Sequence, residues 1–469
     1  DLPTFPKGVL SLSFPSIAAC IGDDYAVECI DLNLQDLTDR QIKCMQKDKC
    51  LFVGIKVSAQ NYTYAIDLNQ RLKSINPNLK IIWGGEFPSL LPKEAIKYAD
   101  AAVCGSFESV SENLLLDIKN NTLQSIYKGI GKEVDTKLKT PDYSILRNHR
   151  LYSQVMGFPL ETSRGCDKKC TFCMVHTMQP NSHFKQLSQL KEELSVLKGK
   201  YVNVIDYNIG SNIEHLYNVI DAFAHSQTLG WMCEMCLETL DNENVLKALA
   251  KSRCRIVYCG LESIEKDSLA SINKAKTNQV QNYTRIIKMA QRHGIQIAAG
   301  MIIGLEGATT HTIDSTFEFY QKCGVIYAKL TFLTYNPGTK VFESMKRVGT
   351  YVQEDLRYFD GNHFTFLPKG VNQKEVISAL RSNIKQFYSL KAIKQRAFNA
   401  GVKGLGFDEF VQFNVAYRDV YLNWLKYNVF EDRVGFDKLL LRKYSKNKAM
   451  RENEKRIIRT RTLRLKDSL

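Results

Sequence analysis

Cys166, Cys170 and Cys173 lie within eight positions, in the stretch "SRGCDKKCTFC", while the other ten of the thirteen cysteines are scattered along the chain. Three thiolates this close repel one another, so the grouping makes sense when a cationic metal centre takes them as ligands. Zinc would require a fourth Cys or His at regular spacing. His176 follows the third cysteine by only three residues, too close for a zinc knuckle, and the loop is set in a series of strands and helices instead of a small ribbon. An iron-sulfur cluster fits better. Three ligands on a four-iron cube leave one iron open, and that vacancy is the functional position.

Two further cysteines, Cys233 and Cys236, form a CxxC. Three residues along a strand place their side chains on opposite faces, which argues against a redox pair. Cys236 and Cys259 are each candidates to point into a barrel interior, where a thiol is able to donate a hydrogen atom; a buried core cysteine is the plainer reading of both.

The elements that carry these residues follow from the patterning. Residues 1–130 alternate strand-like and helix-like stretches: "YAVECIDLN", "CLFVGIKVS", a periodic helix over "YTYAIDLNQRLKSI", then "LKIIWGGE", "PKEAIKYA" and "DAAVCGSFES". The alternation predicts a parallel sheet with helices on both faces, a Rossmann-like (flavodoxin-like) domain preceded by a helix over "VLSLSFPSIAACI". Its strands end in small-residue turns, Gly85-Glu86-Phe87-Pro88 and Cys104-Gly105-Ser106. Such turns let a ligand approach the backbone at the carboxyl edge of a sheet. Residues 131–157 form a polar linker. A second series over 158–348 supplies six βα units, a partial (β/α)6 barrel whose loops after the strands build a site at one face. The cysteine cluster sits on the first of those loops. Residues 349–469 turn helical and basic, with amphipathic periodicity in "QKEVISALRSNIKQFYSLKAIKQRAF" and "FDEFVQFNVAYRDVYLNWLKYNVF".

Size and composition agree. A chain of 469 residues suits two or three domains, and 44% hydrophobic with 24% charged residues is ordinary globular composition. No apolar run approaches the roughly 18–20 residues that span a bilayer. An odd cysteine count, cysteines inside apolar strand-like segments and no secretory signal point to the reducing cytoplasm. The net charge of +15 is partly local. From Lys438 onward twelve basic residues face Glu452, Glu454 and Asp467, which makes a solvated basic tail or a docking surface for an acidic partner.

"SRGCDKKCTFC" resembles the CxxxCxxC loop of the radical S-adenosylmethionine (SAM) enzymes. The resemblance implies that Cys166, Cys170 and Cys173 hold a [4Fe-4S] cluster whose open iron chelates SAM for reductive cleavage to a 5'-deoxyadenosyl radical. It also implies that Phe172 lies beside the adenine. "NVIDYNIGSN" matches the family's second-strand acidic segment, with Asp206 and Asn208 near the SAM amino group. "YCGLES" brings Glu262 and Ser263 to the ribose, "GMIIGLEG" supplies an adenine seat from Gly300, Ile302 and Gly304, and "YNPGT" ends the sixth strand at Pro337, Gly338 and Thr339. In the third strand Glu234 matches the family's acidic residue. Where relatives often place Arg two positions later, this chain has Cys236.

The first domain is similar to that of the cobalamin-binding radical SAM enzymes, which include methyltransferases and the anaerobic porphyrin-ring cyclase. That likeness implies cobalamin between the first sheet and the barrel mouth, where Ser58, Gly84, Gly85, Glu86, Phe87 and Gly105 fall. No DxHxxG motif supplies a cobalt-ligating histidine. The expected function is methylation of an unactivated carbon of a small-molecule or peptide substrate, with electrons from a reductant such as flavodoxin or ferredoxin; the alternative is cyclisation, rearrangement or oxidation in the same family, with a first domain that binds no cobalamin. No residue is assigned as catalytic from the sequence. A methylthiotransferase fits less well, for want of an additional three-cysteine domain and a terminal RNA-binding module. A binding protein with a structural cluster and a basic tail that engages nucleic acid or membrane is the rival of another class.

Overall fold

The computed structural model describes residues 10–22, 25–32, 37–46, 50–130, 139–146, 157–348, 353–368, 371–402 and 405–431. The basic tail lies outside the described residues.

The first sheet is four-stranded and wholly parallel, in the order β1 (Val53–Lys56), β2 (Ile81–Gly84), β3 (Ala101–Cys104), β4 (Ile126–Lys128). Parallel strands buried on two faces carry continuous apolar runs, and "IIW" in β2 shows why. Ile81 and Trp83 pack with Val57 and with Ala65 and Leu72 of the helix Tyr62–Ile75, while Ile82 packs on the other face with Val103 and with Leu114 and Ile118 of the helix Ser111–Asn120. Helices therefore cover both faces, as the alternation predicts.

Two details differ from the sequence expectation. "YAVECIDLN" is not a strand over its described residues, 25–32. It is fastened by side chains instead, with Glu28 accepting from Arg40 at 2.8 Å and from Gln41 at 2.9 Å, and β1 is the edge of the sheet. Conversely, β4 was hidden in the polar stretch "TLQSIYKGIG", too short to show a period.

The second sheet is also wholly parallel, in the order β12-β11-β10-β9-β8-β5: β5 (Phe158–Leu160), β8 (Tyr201–Val204), β9 (Gly230–Glu234), β10 (Cys254–Glu262), β11 (Gln296–Ile303) and β12 (Ala328–Phe332). These are the six strands of the expected partial barrel. The period of two separates their side chains. Val202 and Val204, Trp231 and Cys233, Val257, Cys259 and Leu261, and Ala328, Leu330 and Phe332 join the core beneath the surrounding helices. The alternate set, Ile205, Glu234, Tyr258, Gly260, Gly300 and Lys329, faces the concave side. Cys259 is thus a core residue, and the expectation that it might point into the barrel is corrected by this register; Cys236, just past the end of β9, is half-buried. All thirteen cysteines are free. Between β5 and β8, the antiparallel pair β6 (Ser163–Arg164) and β7 (His183–Phe184) closes the base of the loop that holds the three cysteines.

An open barrel exposes edges, and unpaired strand edges need cover. At β12 the cover comes from phenols. Tyr388 Oη accepts from Ala328 N at 3.3 Å and donates to Ala328 O at 3.2 Å. Tyr421 Oη accepts from Leu330 N at 3.2 Å and is 2.9 Å from Ala328 O. Both tyrosines belong to the C-terminal helical region, Gln373–Phe387, Leu390–Asn399 and Leu405–Lys426, the first two elements joined through Tyr388. No helix among the described residues is long and apolar enough to cross a membrane.

Tyr421→Phe leaves the buried Leu330 N–H without its acceptor, at a cost on the order of 1–3 kcal/mol. The expected outcome is a lowered midpoint of chemical unfolding with the far-ultraviolet dichroism of the native state retained.

Candidate functional site

The cysteine loop is fixed before it begins. The Asp206 carboxylate, 2% exposed, accepts from Thr162 N at 2.7 Å, Thr162 Oγ1 at 2.5 Å and Ser163 Oγ at 2.6 Å. Burial pushes its pKa up to about 6 against the pull of these donors. Both oxygens are taken by the stem of the loop, so in this structure Asp206 is a brace, and the expected contact to the SAM amino group gives way to that role. Asn208 ties the loop to the next strand end: its Nδ2 donates to Asp167 Oδ1 at 3.3 Å and its Oδ1 accepts from Cys236 N at 3.2 Å.

Gly165 turns the chain into the loop at φ +85°, and a Cβ there would stand 2.5 Å from Asn181 O. The far side of the loop docks on residues 272–273, with Thr171 N donating to Ile272 O at 3.3 Å and Asn273 Nδ2 to Lys169 O at 2.8 Å. Cys166, Cys170 and Cys173 are half-buried, and burial raises the pKa of each thiol, that of Cys170 to about 11. The charges of Cys173 and Cys166 act on Cys170, and that of Cys166 acts on Cys173. The set fits a cluster: three neighbouring thiols that burial keeps protonated until a metal displaces the protons. The His176 ring nitrogen is engaged by Lys168 O.

The wall opposite the loop is built from β10 and β11. Gly260 and Glu262 form an irregularity in the β10–β11 ladder, and Glu262 sits at φ +64°, a left-handed conformation uncommon outside glycine. The Glu262 carboxylate pairs with Lys274 Nζ at 2.9 Å. Asn278 Nδ2 holds the strained turn through Gly260 O and Leu261 O, at 2.8 and 2.9 Å. Glu262, Ser263, Ile302 and Gly304 line one common pocket. Phe172 packs against the apolar cluster that contains Ile302, Leu305 and Tyr335. Gly300 stands beneath the Tyr258 hydroxyl, where no Cβ fits. Four expected residues, Glu262, Ser263, Ile302 and Gly304, thus line one pocket, and Phe172 packs on the apolar cluster that shares Ile302 with it. Glu234 faces the same concave side. Burial pushes its pKa up to about 7, opposed by Lys329 and assisted by Glu262.

The carboxyl edge of the first sheet meets this mouth. Arg164, two residues before the first cluster cysteine, is the fastening: Nε donates to Glu161 at 2.8 Å, NH1 to Ser106 Oγ at 3.2 Å and NH2 to Glu108 Oε1 at 2.6 Å. Burial alone would raise the pKa of Glu108, but the Arg164 guanidinium more than offsets it and holds the carboxyl below the usual range. Gln60 Nε2 donates to Asp360 O at 2.9 Å, and Gly338 packs against Leu90. Sequence patterning gave Arg164 and Ser106 no role, because their partnership spans 58 residues.

Of the first-domain candidates, Gly84 has nothing within 4 Å of where a Cβ would stand, so its face is open. Gly85, at φ +105°, would put a Cβ 2.8 Å from Val57 O. Ser58 N is capped by Asn61 Oδ1 at 2.8 Å, and Glu86 is exposed. Two expectations are corrected by packing. Phe87 is buried at 3% in a stack on Tyr62, with ring centroids 5.1 Å apart, and the space over Gly105 is filled by Ile130. Tyr207, 45% exposed, stands in the cleft between the sheets; the surrounding protein and then Glu86 and Glu161 raise the pKa of its phenol.

Residues 8–115 match the B12 binding domain and residues 160–320 the radical SAM superfamily. The chain is 26% identical over 327 residues to bacteriochlorophyllide d C-12(1)-methyltransferase of Chlorobaculum tepidum, covering 67% of this chain and 70% of that protein. In fold it is similar to the radical S-adenosylmethionine methyltransferase TsrM of Kitasatospora setae, with a TM-score of 0.63, 12% identity and coverage of 89% and 98%. It is likewise similar to the cobalamin-dependent S-adenosylmethionine radical enzyme OxsB, with a TM-score of 0.65, 15% identity and coverage of 93% and 73%.

Two outcomes test this geometry. Gly165→Ala combines a disfavoured φ with a backbone clash, and the expected result is loss of most cluster iron after anaerobic reconstitution, measured against folded protein. Burial pushes the Glu234 carboxyl up to about 7, above the ordinary carboxylate value of about 4.5. Its raised pKa means the native state keeps a proton that the unfolded state has lost, so folding stability falls as pH rises from about 4.5 to about 7 and levels above. Glu234→Gln removes that slope, read as the wild-type minus variant difference in unfolding free energy across the window.

Proposed function

We propose that this chain is a cobalamin-dependent radical SAM methyltransferase acting on an unactivated carbon, because residues 160–320 match the radical SAM superfamily and residues 8–115 the B12 binding domain. The observation that carries the reading is the juxtaposition of the three-thiol loop with the open carboxyl edge of the first sheet, fastened through Arg164, Glu108 and Ser106. When bound, the [4Fe-4S] cluster supplies an electron to SAM and cobalamin supplies a transferable methyl group.

The chain's own residues position and enclose. Cys166, Cys170 and Cys173 hold the cluster and leave one corner for SAM. Asp206 and Asn208 brace the loop, Glu262 and Ser263 line the ribose side, and Phe172, Ile302 and Gly304 give the adenine an apolar seat over Gly300. Ser58, Gly84, Gly85 and Glu86 border the cobalamin cleft, with Tyr207 opposite. Apolar packing around the pocket keeps out water, which protects reactive species. The same reading includes a small-molecule or peptide substrate, a reducing protein such as flavodoxin or ferredoxin, a cytoplasmic setting, and an acidic partner for the basic tail.

Anaerobic purification followed by iron, sulfide and cobalt analysis tests it. The expected result is one cluster and about one cobalt per chain, with SAM converted under strong reductant to both 5'-deoxyadenosine and S-adenosylhomocysteine. Protein without cobalt that releases 5'-deoxyadenosine alone would instead favour cyclisation, rearrangement or oxidation. Replacing any one of the three cysteines by Ala should abolish 5'-deoxyadenosine release; retention would refute their assignment.

A further inference from the structure

On the concave side of the second sheet a cation reaches across a strand. Lys329 of β12 stands opposite Gly300 of β11, and Gly300 stands opposite Gly260 of β10, so two neighbouring positions on this face carry no side chain. Across that gap the Lys329 ammonium lies 5.3 Å from the centre of the Tyr258 ring, and the Tyr258 hydroxyl fills the space that a Cβ on Gly300 would need. The field of Lys329 extends further, to Glu234 of β9. Burial raises the carboxyl of Glu234, and Lys329 is the foremost charge opposing it. Groups from β9, β10 and β12 therefore sense one another over a hollow that the two glycines leave empty.

The three groups do not close into a network. Among the described residues the Lys329 ammonium has neither an ion pair nor a hydrogen bond, and the Tyr258 hydroxyl and the Glu234 carboxyl have no hydrogen-bond partner. Lys329 is exposed, while Tyr258 and Glu234 are half-buried, so each remains open to the hollow. A ring face attracts an ammonium without accepting its N–H bonds in the manner of an oxygen. The Tyr258 ring thus holds the cation in place, and its three donors stay available. Ile205, 43% exposed, adds apolar surface to the same concave side.

We propose that this hollow receives a carboxylate carried by the substrate, with Lys329 supplying the charge and Tyr258 a neutral O–H donor. The inference rests on the methyltransferase reading above and adds to it a substrate class, an amphipathic acid whose apolar part lies toward Ile205. Two donors that are already positioned, one of them charged, suit a carboxylate, whose two oxygens accept several hydrogen bonds. Glu234, at the β9 side, disfavours the reversed orientation, in which the incoming carboxylate would meet a second carboxyl.

The test uses hexanoate as the probe and hexanamide as its neutral counterpart of equal length. Full-length protein is reconstituted anaerobically with iron, sulfide and cobalamin, and dissociation constants are measured by equilibrium dialysis with and without SAM. Wild type should bind hexanoate about tenfold more tightly than hexanamide, the scale of one charge-assisted hydrogen bond. Lys329→Met should lose that preference while keeping its cluster iron and its affinity for SAM; Lys329→Arg should keep most of it, and Tyr258→Phe only part. A wild type without the preference, or an undiminished preference in Lys329→Met, would overturn the proposal. Displacement of hexanoate by SAM would also overturn it, because the ammonium would then belong to the carboxylate of SAM itself. Wild type that prefers hexanoate yet releases no 5'-deoxyadenosine under strong reductant would support the anion site and refute the enzyme reading on which the substrate class rests.

Discussion

Three hydrogen bonds converging on the buried carboxylate of Asp206 determine where the cysteine loop leaves the sheet. A carboxylate taken out of water is costly unless donors surround it, and here the donors are the first two residues of the loop stem. The loop has little regular structure to hold it, since only the two-residue strands β6 and β7 close its base. Its shape must therefore be imposed from below by Asp206, from the side by Asn208, and from the far wall by residues 272–273. Three thiols held this way can present a common site without a fourth ligand to complete it.

The same economy joins the domains. Arg164 is in the loop stem, yet its guanidinium reaches Glu108 and Ser106 past the end of β3. Placing the cation between Glu161 and Glu108 satisfies three half-buried charged groups at once, which a single ion pair would not do. One side chain thereby ties the position of the cluster loop to the edge of the first sheet. Chemistry passed between two cofactors depends on their spacing, and a rigid polar contact next to the first cysteine is a direct way to keep it.

The partial barrel creates the remaining constraint. Six strands leave a concave surface with two open edges, so the concave side chains are not packed into layers as in a closed barrel. Gly260 and Gly300 keep that surface hollow, while charged groups such as Glu234, Glu262, Lys274 and Lys329 occupy it. The C-terminal helices hold the β12 edge through the Tyr388 and Tyr421 phenols, and the same region contributes Val371 and Val376 to the pocket lining, so it both supports the sheet edge and shapes the pocket.

Much of this was legible along the chain. The spacing of Cys166, Cys170 and Cys173 pointed to a metal centre, and the run "IIW" and the strand-helix alternation foretold the two sheets and the place of the cysteine loop, because periodicity and ligand spacing are local properties that nearest neighbours enforce. Glu262, Ile302 and Gly304 could be placed at strand ends for the same reason. What only the folded chain decided were the partnerships across large separations: Asp206 as a brace, Arg164 with Glu108, Phe87 buried under Tyr62, Ile130 over Gly105, and Lys274 beside Glu262. The missing strand at residues 25–32 and the unforeseen β4 belong with them. Each depends on which surfaces meet when the sheets pack, and hydrogen bonds, burial and exclusion of volume act on distance in space, which no one-dimensional pattern contains.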